Sequence, residues 1–409
     1  NKIGHRLSGS EGAAKAVNWT EKVMNNYGFD KVYKQDLLVP NWKRGDKEVA
    51  RIIDSKEDLS VLALGMSVPT LKDGIKAKIL EVQRLEDLEI LGRENIEGKI
   101  VFFNRPTDQR LITTGSAYGG AVDQRAEGPS MAAEYGAIGV VIRSVGTAFD
   151  DVPHTGGTKY KDGITKIPAA ALGVKSADRL TLALKKNSST ELFLKMNCKT
   201  LEDAPSHNVI GELIGTEFPD QIITVGGHID SWDVGHGAHD DAGGCVAAWE
   251  ALRLLNRLGL KPKRTIRCVL WTNEENGGRG NKAYRDMHLD ELDKHILAIE
   301  SDAGVFAPEG FGFTGSQEAK KIVKEIHELM ITIKANNLTD YGRAPDIGIL
   351  NDEGVPVMSL IVDNSKYFWY HHTPADTFDK VDFEEFNKCV AAMTIMSFVV
   401  ADLDEPLPR

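Results

Sequence analysis

Between Ile222 and Gly244 the chain reads IITVGGHIDSWDVGHGAHDDAGG, and few folds accommodate such a stretch. An apolar run ends in Gly226-Gly227, His228-Ile229-Asp230 follows, and Asp240-Asp241 leads into Gly243-Gly244. A buried strand running into a loop of His, Asp and Gly makes a poor core, because polar groups taken out of water need partners. It suits a set of hard and borderline ligands at the carboxyl edge of a sheet, where open α/β folds keep their sites. The expectation is a metal site.

The surrounding pattern predicts strands over 208–214, 222–225, 265–271, 295–299 and 355–362, and helices over 242–258, 280–288, 317–331 and 383–403. Strands alternating with helices imply an α/β protein: a mixed, largely parallel central sheet flanked by helices on both faces. Several of these strands run into acidic or histidine residues. After the strand ending at His228 come Asn273-Glu274-Glu275-Asn276, then Glu300-Ser301-Asp302, then His371-His372-Thr373-Pro374-Ala375-Asp376. One acidic pair after a strand is ordinarily a solvated turn. Five or six nitrogen and oxygen donors at the same edge of one sheet are not.

Such donors, without thiolates, suit zinc with an open coordination position, and a bridging carboxylate holds two ions about 3.5–4 Å apart. Hydrolysis there needs one further carboxylate as general base, which a Glu beside a ligand Glu supplies. The i, i+2 spacing of His228 and Asp230 places both side chains on one face of a strand. Asp230 is therefore expected to take the second ring N–H of the histidine.

The first half reads differently. A helix is predicted over 11–27, with Gly28 past its end, and a strand over 31–36. From about residue 60, short strand-like runs at 75–82, 99–103, 138–142, 167–172 and 191–196 alternate with turns and with helices at 130–135 and 176–185. Clustered ligands are scarce here; Asp150-Asp151-Val152-Pro153-His154 is the exception and reads as a solvated loop. The region is predicted to be an accessory domain.

A chain of 409 residues supports two to three domains. The charge balance, 49 − 60 = −11, argues against nucleic acid or an anionic membrane surface as partner. No apolar run approaches the roughly 20 residues that cross a bilayer. Cys198, Cys245, Cys268 and Cys389 are too few for a disulfide framework and lack metal-ligand spacing, so free buried thiols are expected. The chain begins at Asn1 rather than Met, which suggests an upstream segment removed or omitted. Asn-x-Ser/Thr sequons at Asn18, Asn187 and Asn337 add weak support for a secretory route.

At these residues the sequence resembles the M28 family of co-catalytic zinc metallopeptidases. The markers are G-G-H-I-D, H-D-D-A-G-G, N-E-E-N-G-G, E-S-D and H-H-T-P-A-D-T, and RLSGSEG and VVADLDEPLPR extend the match to both ends. The resemblance implies a zinc exopeptidase fold over 1–59 and 203–409, with a β-rich protease-associated domain inserted over 60–202. It implies two Zn2+ per chain: His228 and Asp302 on one, Glu275 and His372 on the other, Asp240 bridging. Glu274 would be the general base acting on a metal-bridged water, and Asp230 the orienter. His236 and His239 share the loop as competing donors, Glu300 competes with Asp302, and Asp241 could take the bridge by a one-residue shift. His371 is read as a packing neighbour of His372.

Tyr341, five residues before Asp346, resembles the Tyr-x-x-x-Ser-Asp arrangement of some members and is a candidate oxyanion partner. The intervening Gly342-Arg343-Ala344-Pro345 departs from that pattern. The resemblance further implies a secreted or lysosomal homodimer that cleaves short peptides, unblocked dipeptides foremost. Two other readings share the architecture: a single-zinc glutaminyl cyclase and a binding or receptor protein that has lost catalysis. The full set of ligand positions speaks against both.

Overall fold

A computed structural model describes residues 2–409. The chain divides into two compact units, one of Asn1–Pro40, Asp203–Asn364 and Asp376–Arg409, the other of Asn41–Glu202 and Ser365–Ala375.

The first unit is built on an eight-stranded sheet. Its spatial order is Lys31–Lys43, Lys199–Leu213, Arg264–Trp271, Phe218–His228, His295–Glu300, Val357–Val362, Pro308–Thr314 and Asn337–Thr339. The four strands from Arg264–Trp271 to Val357–Val362 are mutually parallel, with antiparallel neighbours on either side. Every residue of Arg264–Trp271 and of His295–Glu300 is buried, as befits strands covered on both faces. On one face Val269, Trp271, Ala298 and Val357 pack with Tyr284, Ile347 and Leu350. Helices Gly243–Leu258 and Phe383–Asp402 pack on each other and on Phe218–His228.

Parallel pairing fixes where the polar residues go. His228 lies opposite Trp271, and Gly226 opposite Glu300. The residues that follow these strand ends therefore emerge at one edge.

The first helix, Glu11–Asn26, starts at Ser10, whose hydroxyl accepts from the Ala13 N–H, a cap worth about 1 kcal/mol. Two strands of this sheet went unanticipated in the sequence, Pro308–Thr314 and Asn337–Thr339. Their joint is made by glycines rather than an apolar run: a Cβ at Gly310 or Gly312 would collide with the main chain of Asn337 or Tyr341.

The second unit has its own eight-stranded sheet, in the order Glu57–Leu59, Val49–Ile52, Glu191–Lys195, Ile75–Val82, Ile100–Phe103, Gly139–Arg143, Ala169–Leu172 and Val61–Ala63. Ile75–Val82 through Ala169–Leu172 are parallel, and the outer pairs antiparallel. A separate core holds it together, with Val101, Phe103, Val140 and Ile142 among its members. The division after Pro40 falls earlier than residue 59 because Val49–Ile52 and Glu57–Leu59 join this second sheet. The expected solvated loop at 150–154 is instead built in. His154 is 2 % exposed, its Nδ1 faces the His371 carbonyl at 2.9 Å, and the Asp151 carboxylate accepts from the Ser176 N–H.

All four cysteines are free and buried. Among the described residues no helix is long and apolar enough to cross a membrane.

Candidate metal centre

His228 ends its strand with almost no exposed surface. The two glycines before it let the chain approach its neighbours: a Cβ at Gly226 would collide with Val269 and Trp271, and one at Gly227 with the Asp241 carboxylate. Asp241 uses that space. Its two oxygens accept from the His228 and Gly244 N–H groups, each at 3.0 Å, tying the strand end to the start of Gly243–Leu258. Asp240 turns the other way, with Oδ1 3.2 Å from His228 Nε2. Geometry thus separates the acidic pair into one carboxylate at the site and one that holds main chain.

The loop carrying Asp240 is fastened from two distant places. Asp376 is 2 % exposed, and its oxygens accept from the His239 and Asp240 N–H groups at 2.9 and 3.1 Å. Arg6, also buried, donates to the carbonyls of Ile229, His236 and Gly237. These contacts leave the two competing histidines committed elsewhere. His236 Nδ1 accepts from the Phe378 N–H at 3.3 Å. His239 stacks on Phe306, its Nδ1 accepts from the Val305 N–H, and its Nε2 faces the Lys380 carbonyl.

Glu274 and Glu275 sit on the turn after Arg264–Trp271. Asn208, on the neighbouring strand, accepts from the Thr272 N–H and donates to the Gly280 carbonyl, pinning both ends of that turn. The Asp230 carboxylate accepts from the Glu274 N–H at 3.0 Å, the Glu275 N–H at 3.4 Å and the Ser8 hydroxyl at 3.1 Å. Its part differs from the one expected. His228 Nδ1 lies 3.1 Å from the Asp230 carbonyl but 3.8 Å from its carboxylate. Asp230 orients the ring through its main chain and the glutamates through its side chain, because the strand ends at His228 and the i, i+2 relation no longer holds beyond it.

Asp302 reaches His228 Nε2 at 3.3 Å. Glu300, the alternative, is fully buried and accepts from the Asp346 and Ile347 N–H groups. Tyr341 is 67 % exposed.

His372 lies on Ser365–Ala375, which belongs to the second unit. Its ring stacks on His371 at 3.5 Å between centroids, and its Nδ1 faces the Thr155 carbonyl at 3.3 Å. With Nδ1–H donating there, Nε2 keeps its lone pair.

The charges of the first unit's cluster do not balance among themselves. Burial pushes the Glu274 carboxyl up to about 8, Asp302, Asp230 and Asp240 adding to the rise while His228 opposes it. Burial and the charge of Asp240 drive Glu275 well above the usual carboxylate range. Burial disfavours a charge on His228, yet Asp302 and Asp240 outweigh it and hold that ring well above the usual histidine value. His228, Asp240 and Asp302 bring one donor atom each within 4.8 Å of one another. A buried group of several carboxylates and one imidazole is complete only with added positive charge, and the donor types suit zinc.

Known proteins resemble this chain from end to end. Residues 208–396 match the model of peptidase family M28. Carboxypeptidase Q of Xenopus laevis is 40 % identical over 407 residues, covering 100 % of this chain and 85 % of that protein. The chain belongs to peptidase family M28. The human carboxypeptidase Q is 38 % identical over 100 % of the M28 chain and 84 % of its own length. A peptidase M28 precursor from Shewanella amazonensis SB2B superposes with a TM-score of 0.95 at 36 % identity, covering 100 % of this chain and 92 % of that one. A zinc aminopeptidase from Bacillus subtilis shares the fold, with a TM-score of 0.69 at 19 % identity and coverage of 100 % and 96 %. This M28 chain is accordingly a metallopeptidase.

Two residues that matter to this M28 centre were not singled out from the sequence. Arg6 lies in the RLSGSEG string, but its partners are more than 220 residues away. Asp376 follows the histidine pair, and nothing local tells that it holds the Asp240 loop. Replacing Arg6 with Met leaves three carbonyls, two of them in buried bonds, without their donor. We expect a stability loss of about 3 kcal/mol, read by urea unfolding, together with weaker zinc retention. A midpoint within error of the wild type would remove this role.

Proposed function

We propose that the chain is a zinc exopeptidase of short peptides, dipeptides with free termini foremost, and that it holds two zinc ions. The observation that carries the reading is the convergence of His228 and Asp240, both buried, with Asp302 at the carboxyl edge of the sheet. Asp240, Glu275 and His372 would hold the ions together with His228 and Asp302, and the names of the carboxypeptidase Q relatives support exopeptidase action. Zinc, when bound, polarises the scissile carbonyl and lowers the pKa of water beside it.

Glu274 then accepts the proton of the attacking water and returns it to the leaving amine. Its place next to Glu275, with the Asp230 carboxylate accepting from both main-chain amides, supports this role. Asp230, Arg6 and Asp376 hold the loops and touch no substrate. Tyr341, exposed as it stands, is an oxyanion partner only if substrate draws it in. The second unit is the protease-associated domain of this reading. The enzyme works as a secreted or lysosomal homodimer, and the sequon residues Asn18, Asn187 and Asn337 are all exposed.

Metal analysis and a panel of free and end-blocked dipeptides test this. The expected result is about two zinc per chain and chelator-sensitive cleavage of free dipeptides. Zinc without cleavage, paired with pyroglutamate formation from an N-terminal Gln peptide, would favour a cyclase. Protein that neither retains zinc nor cleaves would be a binding protein on a peptidase fold.

A further inference from the structure

Helix Arg279–Met287 begins just after the turn that carries Glu274 and Glu275, and its first residues are bound to that turn. The Gly280 N–H donates to the Thr272 carbonyl at 3.1 Å, and the Arg279 N–H to Asn273 Oδ1 at 3.3 Å. Farther along, the helix is fixed to the sheet by a buried polar group that takes no part in the metal centre. The Tyr284 hydroxyl, fully buried, accepts from Arg267 Nη1 at 3.1 Å and faces His295 Nε2 at 3.0 Å. Arg267 also donates to the Glu212 carboxylate at 2.7 Å and lies 3.5 Å from Nε2 of His288, the residue that ends the helix.

These partners assign the ring hydrogens. The Glu291 carbonyl, 3.1 Å from His295 Nδ1, takes that ring's hydrogen, so Nε2 offers its lone pair to the Tyr284 hydroxyl. The Glu291 carboxylate, 3.3 Å from His288 Nδ1, takes the hydrogen there, and Nε2 of His288 accepts from the guanidinium. Both rings are therefore held as neutral acceptors around one cation. A second proton on His295 would aim an N–H at the hydroxyl that donates to it. On His288 it would aim one at the guanidinium itself. The other charged or titratable groups on this cluster are Glu212, already paired with Arg267, Tyr33 3.4 Å from Glu212, the exposed Glu291, and Arg409, which donates to the His295 carbonyl at 2.9 Å. Burial pushes the His295 ring down to about 4, with the Arg267 charge adding to the effect, and it lowers His288 as well.

We propose that Tyr284, His288 and His295 form a proton-operated latch on helix Arg279–Met287, which acid opens, freeing the turn of Glu274 and Glu275 and speeding the release of zinc. The link to zinc rests on the reading of Glu275 as a ligand; the latch itself does not. The sign follows from the rings. A histidine held neutral in the docked helix and free to charge in the opened one favours docking fully above the ordinary histidine value. That contribution is lost as pH falls below it, until the docked ring itself charges. Zinc leaves through the opened turn in this scheme, so its rate of loss follows the opened population however small that population is.

The test compares wild type, His295→Gln and His288→Gln at pH 7.5 and pH 5, since Gln keeps an acceptor within reach and cannot charge. Amide hydrogen exchange, corrected for its intrinsic rate, is followed with zinc in excess, and transfer of zinc to a chelator is timed separately. In wild type, exchange at residues 282–287 is expected to rise about 30-fold from pH 7.5 to pH 5 while strand Phe218–His228 stays protected. His295→Gln removes most of that rise and His288→Gln part of it. Zinc transfer at pH 5 is then about 10-fold slower in His295→Gln than in wild type, and equal in the two at pH 7.5. No local rise in wild type overturns the latch, as does a rise shared by Phe218–His228 or one kept in full by His295→Gln. If His295→Gln does not fold, wild type and His288→Gln decide by the same criteria. Zinc transfer that is equal in wild type and variant at pH 5, with exchange as expected, overturns the link to zinc alone. Protein that binds no zinc at either pH overturns the reading of Glu275, and the exchange still decides the latch.

Discussion

Glu274→Gln is expected to retain the fold and its zinc while kcat falls by about 10²–10⁴-fold or more. The amide is close to isosteric, and the Glu274 main-chain contact to Asp230 does not depend on the side chain. What disappears is the proton acceptor. Because the side chain would act on the attacking water and then on the leaving amine, its loss affects bond-making and leaving-group departure together, and KM should move little. The contrast is Glu275→Gln. Glu275 Oε1 also accepts from the Trp232 N–H at 3.1 Å, so that variant should disturb the loop and lower zinc content as well. Measuring kcat, KM and zinc per chain on both variants separates the roles. Substantial turnover by fully metallated Glu274→Gln would refute a general base at this position.

That the two glutamates were legible at all follows from how the sheet is made. Apolar runs with period-two or continuous burial mark 265–271 and 295–299 in the sequence, and the structure has Arg264–Trp271 and His295–Glu300 there. Parallel pairing then brings the strand ends to one edge with no further information needed. Burial also separated near neighbours that spacing alone left open. Glu300 is inside and bonded to main chain, Asp302 faces His228, and Asp241 is used up on the His228 and Gly244 amides.

What the sequence concealed was long-range. Arg6 and Ser8 act through hydrogen bonds spanning more than 220 residues, and Asp376 acts on amides 136 and 137 residues earlier. Neither partner carries a local pattern. The membership of Ser365–Ala375 in the second unit was concealed for the same reason: its aromatic residues pack on Tyr118, and its histidines lie by Arg125, Thr155 and His154, all in a stretch read as accessory. The loop at 150–154 was misjudged because its partners, His371 and Ser176, are remote from it or belong to the next helix. Polar residues look solvated in sequence whenever their buried partners are elsewhere.

Removing the metal should make the stability of the protein strongly pH-dependent, in a direction the cluster determines. Without zinc the folded state holds protons that the unfolded chain gives up. Glu274 is pushed up to about 8 and Asp376 up to about 7 by burial and by neighbouring carboxylates, whereas unfolded carboxyls titrate near 4. His228, raised by Asp302 and Asp240 against the effect of burial, works in the same sense, since its paired cationic form is stable below the unfolded value and lost above the folded one. Between about pH 4 and pH 8 these groups therefore bind more protons in the folded apo-protein than in the unfolded one, and their contribution to stability falls as pH rises, by about 1.4 kcal/mol per pH unit for each such proton. His154, His239 and His295, pushed down to about 4 by burial, oppose them below the unfolded histidine value. Zinc replaces those protons as counter-charge and holds the carboxylates ionised, so its stabilising effect should grow over the same interval. Thermal unfolding of chelated and zinc-loaded protein at pH 5 and pH 7.5 measures this. The expected result is a lower Tm for the apo-protein at pH 7.5 than at pH 5, and a zinc-induced rise in Tm several degrees larger at pH 7.5. A zinc-induced rise equal at both pH values would mean that the buried carboxylates are compensated by something other than the metal, and would count against His228, Asp240 and Asp302 as the group that holds it.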